Sequence, residues 1–100
     1  MKTCMKLKDF VRRLNQLDES GILCVRPPWT SDAECVAIAP DKNLGVPDEV
    51  KRAGFAYFLE VHIAREVLLV LDQKGASLED EVELLLHYAE YDAYPEWIYE

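Results

Sequence analysis

Two pairs of side chains stand where acid-base chemistry would need them. His62 and Glu66 are four residues apart, as are Glu83 and His87, so on a helix each pair would share a face as a general base and its orienter. Neither pair comes with the rest of a catalytic set, because the chain has no nucleophile at a strand-turn-helix elbow and no glycine-rich phosphate loop. Cys24, Cys35, His62 and His87 are the residues a zinc site would draw on, and their spacing matches no zinc pattern. The expectation is a non-enzymatic protein without metal or cofactor, its histidines at helix surfaces beside solvated partners.

The elements that would position these groups are legible from periodicity. Leu7, Phe10, Val11, Leu14 and Leu17 recur at helical spacing and Ser20-Gly21 supply a stop, which predicts a first helix. Ile22 to Arg26 and Cys35 to Ala39 are β-prone runs, and Pro27-Pro28 with Ser31-Asp32 demand a loop between them, so a hairpin with Trp29 at its tip is expected. After the loop Pro40 to Gly45, Pro47 opens a second helix, with Asp48 and Glu49 at the positive end of its dipole. That helix is expected to run to about Gln73. Val50, Gly54, Tyr57, Val61, Ala64, Leu68 and Leu71 follow a 3-4 spacing, and Ala56, Leu59, Ile63, Val67 and Val70 form a second stripe beside them. Gly75 is its C-cap. Ser77 to Asp80 then resembles a capping box opening a third helix, whose Leu78, Val82, Leu85, Leu86 and Ala89 would face the core, and Pro95 ends it by Tyr94. The fold class that follows is α+β, mostly helical, in the order α-β-β-α-α, with a two-stranded antiparallel hairpin packed on three helices in a single domain, residues 1–100.

Half of the 100 residues are apolar, but charges interrupt every long apolar stretch. Residues 1 to 13 lack the features of a secretory signal, so a cytoplasmic protein with no membrane span is expected. Three cysteines without CxxC spacing agree with a reducing compartment, and Cys24 and Cys35, neighbours across the hairpin, are expected to be buried and reduced. Trp29 either offers a proline-aromatic knob or packs on a nearby helix.

Charge is the most informative feature. The formal net charge is -8, and from Asp72 to Glu100 nine acids face Lys74 alone, while residues 1 to 71 carry ten charges of each sign. The first thirteen residues are basic, so the molecule is strongly dipolar if its ends lie apart. Such a field disfavours direct nucleic-acid binding. It suits the reverse, a ridge of carboxylates that imitates phosphates and occupies a Lys/Arg-lined groove of a protein partner with a basic, nucleic-acid-binding surface. The partner-binding residues expected on this reading are Glu79, Asp80, Glu81, Glu83, Glu90 and Asp92, with Tyr91, Tyr94 and Trp97 as aromatic anchors. The closing "HYAEYDAYPEWIYE" has a second reading, in which Trp97 and Ile98 fold back as a hydrophobic peg.

Two resemblances bear on these readings. "LNQLDESGILCVRP", "CVAIAPDKNLGVPDEVKR" and "AREVLLVL" resemble the TubC-type αββαα docking domains at the N-termini of some polyketide and nonribosomal peptide synthetase subunits. That resemblance implies a hairpin edge, Ile22 to Arg26 or Cys35 to Ala39, that receives a partner peptide as an added strand. In size, acidity and lack of catalytic residues the chain is similar to small phage-encoded anti-CRISPR proteins, which implies inhibition of a surveillance complex by covering its crRNA- or DNA-binding channel. An immunity protein against a nuclease toxin would use the same acidic-aromatic surface.

Overall fold

Helical spacing in the first residues predicts an inward stripe, and Leu7, Phe10, Val11 and Leu14 are indeed buried. The computed structural model describes residues 4–40, 45–71 and 74–99. The chain opens with strand β1 (Cys4–Lys6) and helix α1 (Leu7–Arg12), then passes a 3-10 turn at Leu14–Gln16 to strands β2 (Ile22–Val25) and β3 (Glu34–Ile38). Helix α2 (Asp48–Arg52), strand β4 (Ala56–Glu60), helix α3 (Val61–Leu68) with a 3-10 extension at Leu69–Leu71, and helix α4 (Leu78–Tyr91) follow. A 3-10 turn at Glu96–Tyr99 comes last. This is a small α+β domain.

The strands form one antiparallel sheet in the order β1-β3-β2-β4. Alternation along the strands gives the sheet two apolar faces. Leu23, Val25, Cys35 and Phe58 join Leu7, Phe10 and Val11 of α1, Ala64 and Val67 of α3 and Val82, Leu84 and Leu85 of α4 in the main core. Ile22, Cys24, Val36 and Ile38 face the other way and are covered by Val46, Val50 and Phe55 around α2.

The second predicted helix is where the structure departs furthest from the sequence reading. It stops after five residues. Gly54 has φ +95°, its amide donates to the Lys51 carbonyl at 3.0 Å, and the Phe55 amide donates to the Val50 carbonyl at 3.3 Å. That paired bonding with a glycine at positive φ is a Schellman stop, and Val50 and Phe55 supply its hydrophobic contact. The chain continues as β4, opposite β2 with Leu23 facing Leu59 and Cys24 facing Tyr57, and a bulge lies between the two pairs. As a result Phe58 is 1% exposed and Tyr57 48%, whereas the helical stripe buries Tyr57 and leaves Phe58 out. The predicted helix end near Gln73 lies outside the described residues, as does most of the predicted loop Pro40 to Gly45.

Three smaller differences complete the correction of the α-β-β-α-α order to four strands and four helices among the described residues. β1, unmarked by β-branched residues, exists because Met5 and its neighbours complete the free edge of β3. The hairpin therefore lies at the centre of the sheet instead of standing alone. The first helix ends at Arg12 and tightens to 3-10, because Arg65 of α3 reaches in to the last carbonyls: its Nε and Nη2 donate to the Leu14 oxygen at 3.2 and 3.1 Å and Nη2 also donates to the Leu17 oxygen. Replacing Arg65 by Met keeps the stem but takes this donor from the Leu17 carbonyl and leaves the Leu14 carbonyl with the Leu17 amide at 3.2 Å, and we expect a loss of about 1.5–3 kcal/mol, the range for hydrogen bonds to charged groups. A urea titration reads this as a lower midpoint at unchanged slope, and Arg65→Lys should recover less than half, since an ammonium lacks the planar fork.

At the other end of α1 no side chain caps the helix. The hairpin loop does so instead: the amides of Leu7 and Lys8 donate to the carbonyls of Ala33 and Ser31 at 2.9 and 3.0 Å. Trp29 in that loop donates its indole N–H to the Val25 carbonyl at 3.1 Å and meets Phe58 edge-on, with ring centroids 5.0 Å apart. The tryptophan is packed, but its ring contact is with strand β4 and not with the helix expected.

Cys24 and Cys35 are buried and free, and they belong to the two opposite faces of the sheet, so no rotamer change joins them. Burial, its largest cause, pushes the Cys35 thiol far above its ordinary range. Cys4 is exposed; slight desolvation and then a hydrogen bond from its Sγ to Glu34 Oε2 at 3.4 Å raise its pKa. A thiol reagent should modify one cysteine in the native protein and three in denaturant. The native rate should climb with pH as the Cys4 thiolate forms.

Candidate functional site

Most of the residues expected to meet a partner are carried by α4, with Asp92, Tyr94 and Trp97 beyond its end, and local signals build that helix. Ser77 Oγ accepts from the Asp80 amide and Asp80 Oδ2 accepts from the Ser77 amide, both at 3.2 Å, which closes the predicted capping box. Gly75 turns the chain in with φ +60°, and Asp92, left-handed at φ 53°, ends the helix with its amide on the Tyr88 carbonyl at 2.8 Å. Val82, Leu84 and Leu85 are buried in the main core, where α4 packs on α1 and α3, and fix the rotation of the helix.

That rotation sorts the predicted carboxylates. Glu79, Glu83 and Glu90 are exposed and, spaced by four and seven residues, fall on one stripe. Among the described residues none of them makes an ion pair. Asp80 is turned back on its own helix start. Glu81 lies on the opposite flank, in a hollow it shares with Arg12 and Arg65. Asp92 is exposed at the helix end, so the six acids do not form a single ridge.

The aromatic residues divide in the same way. Tyr91 is 62% exposed and its ring lies 4.6 Å from that of His87. Tyr94 is half-buried against Tyr88, with centroids 5.4 Å apart, and burial is the first cause of its raised hydroxyl pKa. Trp97 is half-buried on the main core and Ile98 is 7% exposed within it, while Lys74 Nζ donates to the Ile98 carbonyl at 2.9 Å. The tail folds back as a peg. Of the three expected anchors, Tyr91 alone is exposed.

The acid-base pairs fare differently. In the pair Glu83 and His87, the ring Nδ1 of His87 lies 3.0 Å from the Ala93 carbonyl and the ring is tilted against that of Tyr91, so Glu83 is not what orients it. His62 and Glu66 line an open hollow of about 550 Å³ with Glu19 and Glu60, over Ile22 and Pro40. Among the described residues no cluster of His, Cys, Asp or Glu has the geometry to hold a metal ion, and no helix is long and apolar enough to cross a membrane.

Sequence reasoning missed the surroundings of the stripe. A groove of about 400 Å³ runs between α4 and the hairpin loop, with Trp29, Leu78, Val82 and Leu86 as its apolar wall and Glu79 and Glu83 at its rim. Lys8 of α1 closes the far side. No local signal announces this, since it depends on α1 and the loop packing beside α4.

The same packing corrects the expected dipole. The basic helix α1 lies against the acidic α4, so the two ends are not far apart. Lys6 and Lys8 are turned to Asp32 of the hairpin loop, at 3.8 and 3.0 Å, and Arg12 to Asp9 at 3.7 Å. The Lys8 hydrogen bond is the first cause of the lowered Asp32 pKa. The hairpin, for its part, offers no edge to a partner strand, because β2 is flanked by β4 and β3 by β1.

Fold and surface together define a small α+β domain built on a four-stranded antiparallel sheet, with one acidic helix displayed over an apolar groove. No protein-family model, curated protein or solved structure matches this chain.

Proposed function

We propose that the protein is a non-catalytic inhibitor that covers a basic, nucleic-acid-binding surface of a protein partner, with α4 in place of a phosphate strand. The observation that carries this reading is the stripe Glu79, Glu83 and Glu90, exposed and without ion pairs among the described residues. At 1.5 Å per residue the stripe advances by about 6 and then about 10.5 Å. Measured along the helix axis, those steps are close to the rise over two and three phosphates of one DNA strand, about 3.4 Å each.

A further feature supports the reading. Glu90 sits in the last turn of α4 and Asp92 at its C-cap, where the negative end of the helix dipole opposes carboxylates. Helix stability does not explain acids there. Steering towards a cationic surface does. The partner class this chemistry fits best is the crRNA- or DNA-binding channel of an RNA-guided surveillance complex, which would make the chain an inhibitor of the anti-CRISPR kind.

Affinity capture on the tagged protein from nuclease-treated lysate of its host tests this. A nucleic-acid-handling complex should be retained at about 0.1 M salt and released at about 1 M, where the screening length falls from about 10 to about 3 Å. A toxin nuclease released in the same way would assign the immunity-protein form of the same mechanism. A partner held equally at both salt concentrations would overturn the electrostatic reading.

A further inference from the structure

The groove beside the stripe has features that a phosphate mimic alone does not require. Its wall is apolar, made by Leu78, Val82, Leu86 and the indole of Trp29, and two carboxylates stand on its rim. The indole is held in place, with its N–H on the Val25 carbonyl and its ring against Phe58. Glu79 and Glu83 are one helical turn apart, which sets their Cβ atoms about 5–6 Å from each other. Among the described residues the one cation in the lining, Lys8, is matched by Asp32 at 3.0 Å, so the rim keeps the charge of its two glutamates.

We infer that this groove receives an arginine side chain of the basic partner, its stem along the leucines and its guanidinium between the Glu79 and Glu83 carboxylates beside Trp29. The inference rests on the proposed function, whose partner surface is basic, and names the contact that would anchor it. Charge complementarity selects a cation, and the length of the apolar wall selects one on a long stem. Arginine fits better than lysine because its planar fork donates to carboxylates in pairs and its flat face suits tryptophan, the strongest cation-π partner. A volume near 400 Å³ lies towards the small end of ligand sites, which run from about 300 to 1,000 Å³. That is room for one long side chain and the backbone that carries it.

The chain has two tryptophans, so Trp97→Phe leaves Trp29 as the sole tryptophan, read by selective excitation of the indole. Capped peptides of Gly and Ser carrying two arginines, two lysines or two citrullines are titrated into this full-length variant. The arginine peptide should change Trp29 emission saturably, at least tenfold more tightly than either of the others, and Glu83→Gln should weaken it at least tenfold. Indole N–H signals in NMR spectra of the unsubstituted chain give the same reading if Trp97→Phe disturbs the fold. No saturable change at Trp29, or equal binding of the citrulline peptide, overturns the inference. Equal binding of the lysine peptide overturns the choice of arginine. Failure of the two ideas is separable. If salt releases the captured partner while the arginine peptide leaves Trp29 unmoved, the groove assignment falls and the acidic face stands. Arginine binding in the groove with a salt-resistant partner reverses that outcome.

Discussion

Phe58→Ala should lower the unfolding free energy by about 3–5 kcal/mol, the usual cost of emptying a buried phenylalanine site, while Tyr57→Ala next to it should cost less than about 1 kcal/mol. The two residues exchange roles between a helix and a strand. On the helical stripe read from the sequence Tyr57 points to the core, whereas β4 puts Phe58 at 1% exposure, edge-on to Trp29, and leaves Tyr57 48% exposed. A domain of this size has a total stability of only about 5–15 kcal/mol, so the Phe58 variant loses a large share of it. Trp29 also loses the ring it rests on, so its fluorescence should report the loss before global unfolding. Urea unfolding followed by circular dichroism orders the two variants, and the reverse order would restore the continuous helix and remove β4.

Reversing Glu79, Glu83 and Glu90 together to Lys should weaken capture of a basic partner at least about 100-fold, since each change removes an attraction and adds a repulsion of about 1–4 kcal/mol at contact distance. The fold should tolerate it. Glu79 lies in the first turn of α4, where Lys costs about 0.3–1 kcal/mol against the dipole, and Glu90 lies in the last turn, where Lys gains a similar amount. Glu83→Lys set against Asp48→Lys separates a face from a field. Asp48 is in the first turn of α2, on the opposite side of the sheet, and a matched change in net charge there should leave binding within about threefold, well under the tenfold that 1.4 kcal/mol buys. Capture assayed at about 0.1 M salt distinguishes the cases, and equal loss at both positions would show that net charge acts, with no role for the α4 stripe.

What the sequence by itself determined is concentrated where the physics is local. The start of α4 could be read because Ser77 and Asp80 act on backbone groups within a few residues of themselves, whereas Pro95 set only an outer limit at Tyr94 and the helix ends earlier, at Tyr91, on left-handed Asp92. The stop at Gly54 was also written locally, in Lys51-Arg52 of the last turn followed by glycine, but the long 3-4 stripe outweighed it. Apolar residues from Phe55 to Leu59 fit a period of 3.6 as well as a strand. Only the tertiary structure decided between them, because β2 presents an edge whose amide and carbonyl groups need a partner, and that edge lies more than thirty residues away in the chain. β1 answers the other edge of the hairpin for the same reason. The net charge and its C-terminal excess were legible by counting, yet counting placed the basic and acidic segments at opposite ends. Packing of α1 against α4 brings them side by side and turns Lys8 to Asp32. The groove between Trp29 and the Glu79-Glu83 rim exists only after three segments distant in sequence have packed, so no spacing along the chain could encode it.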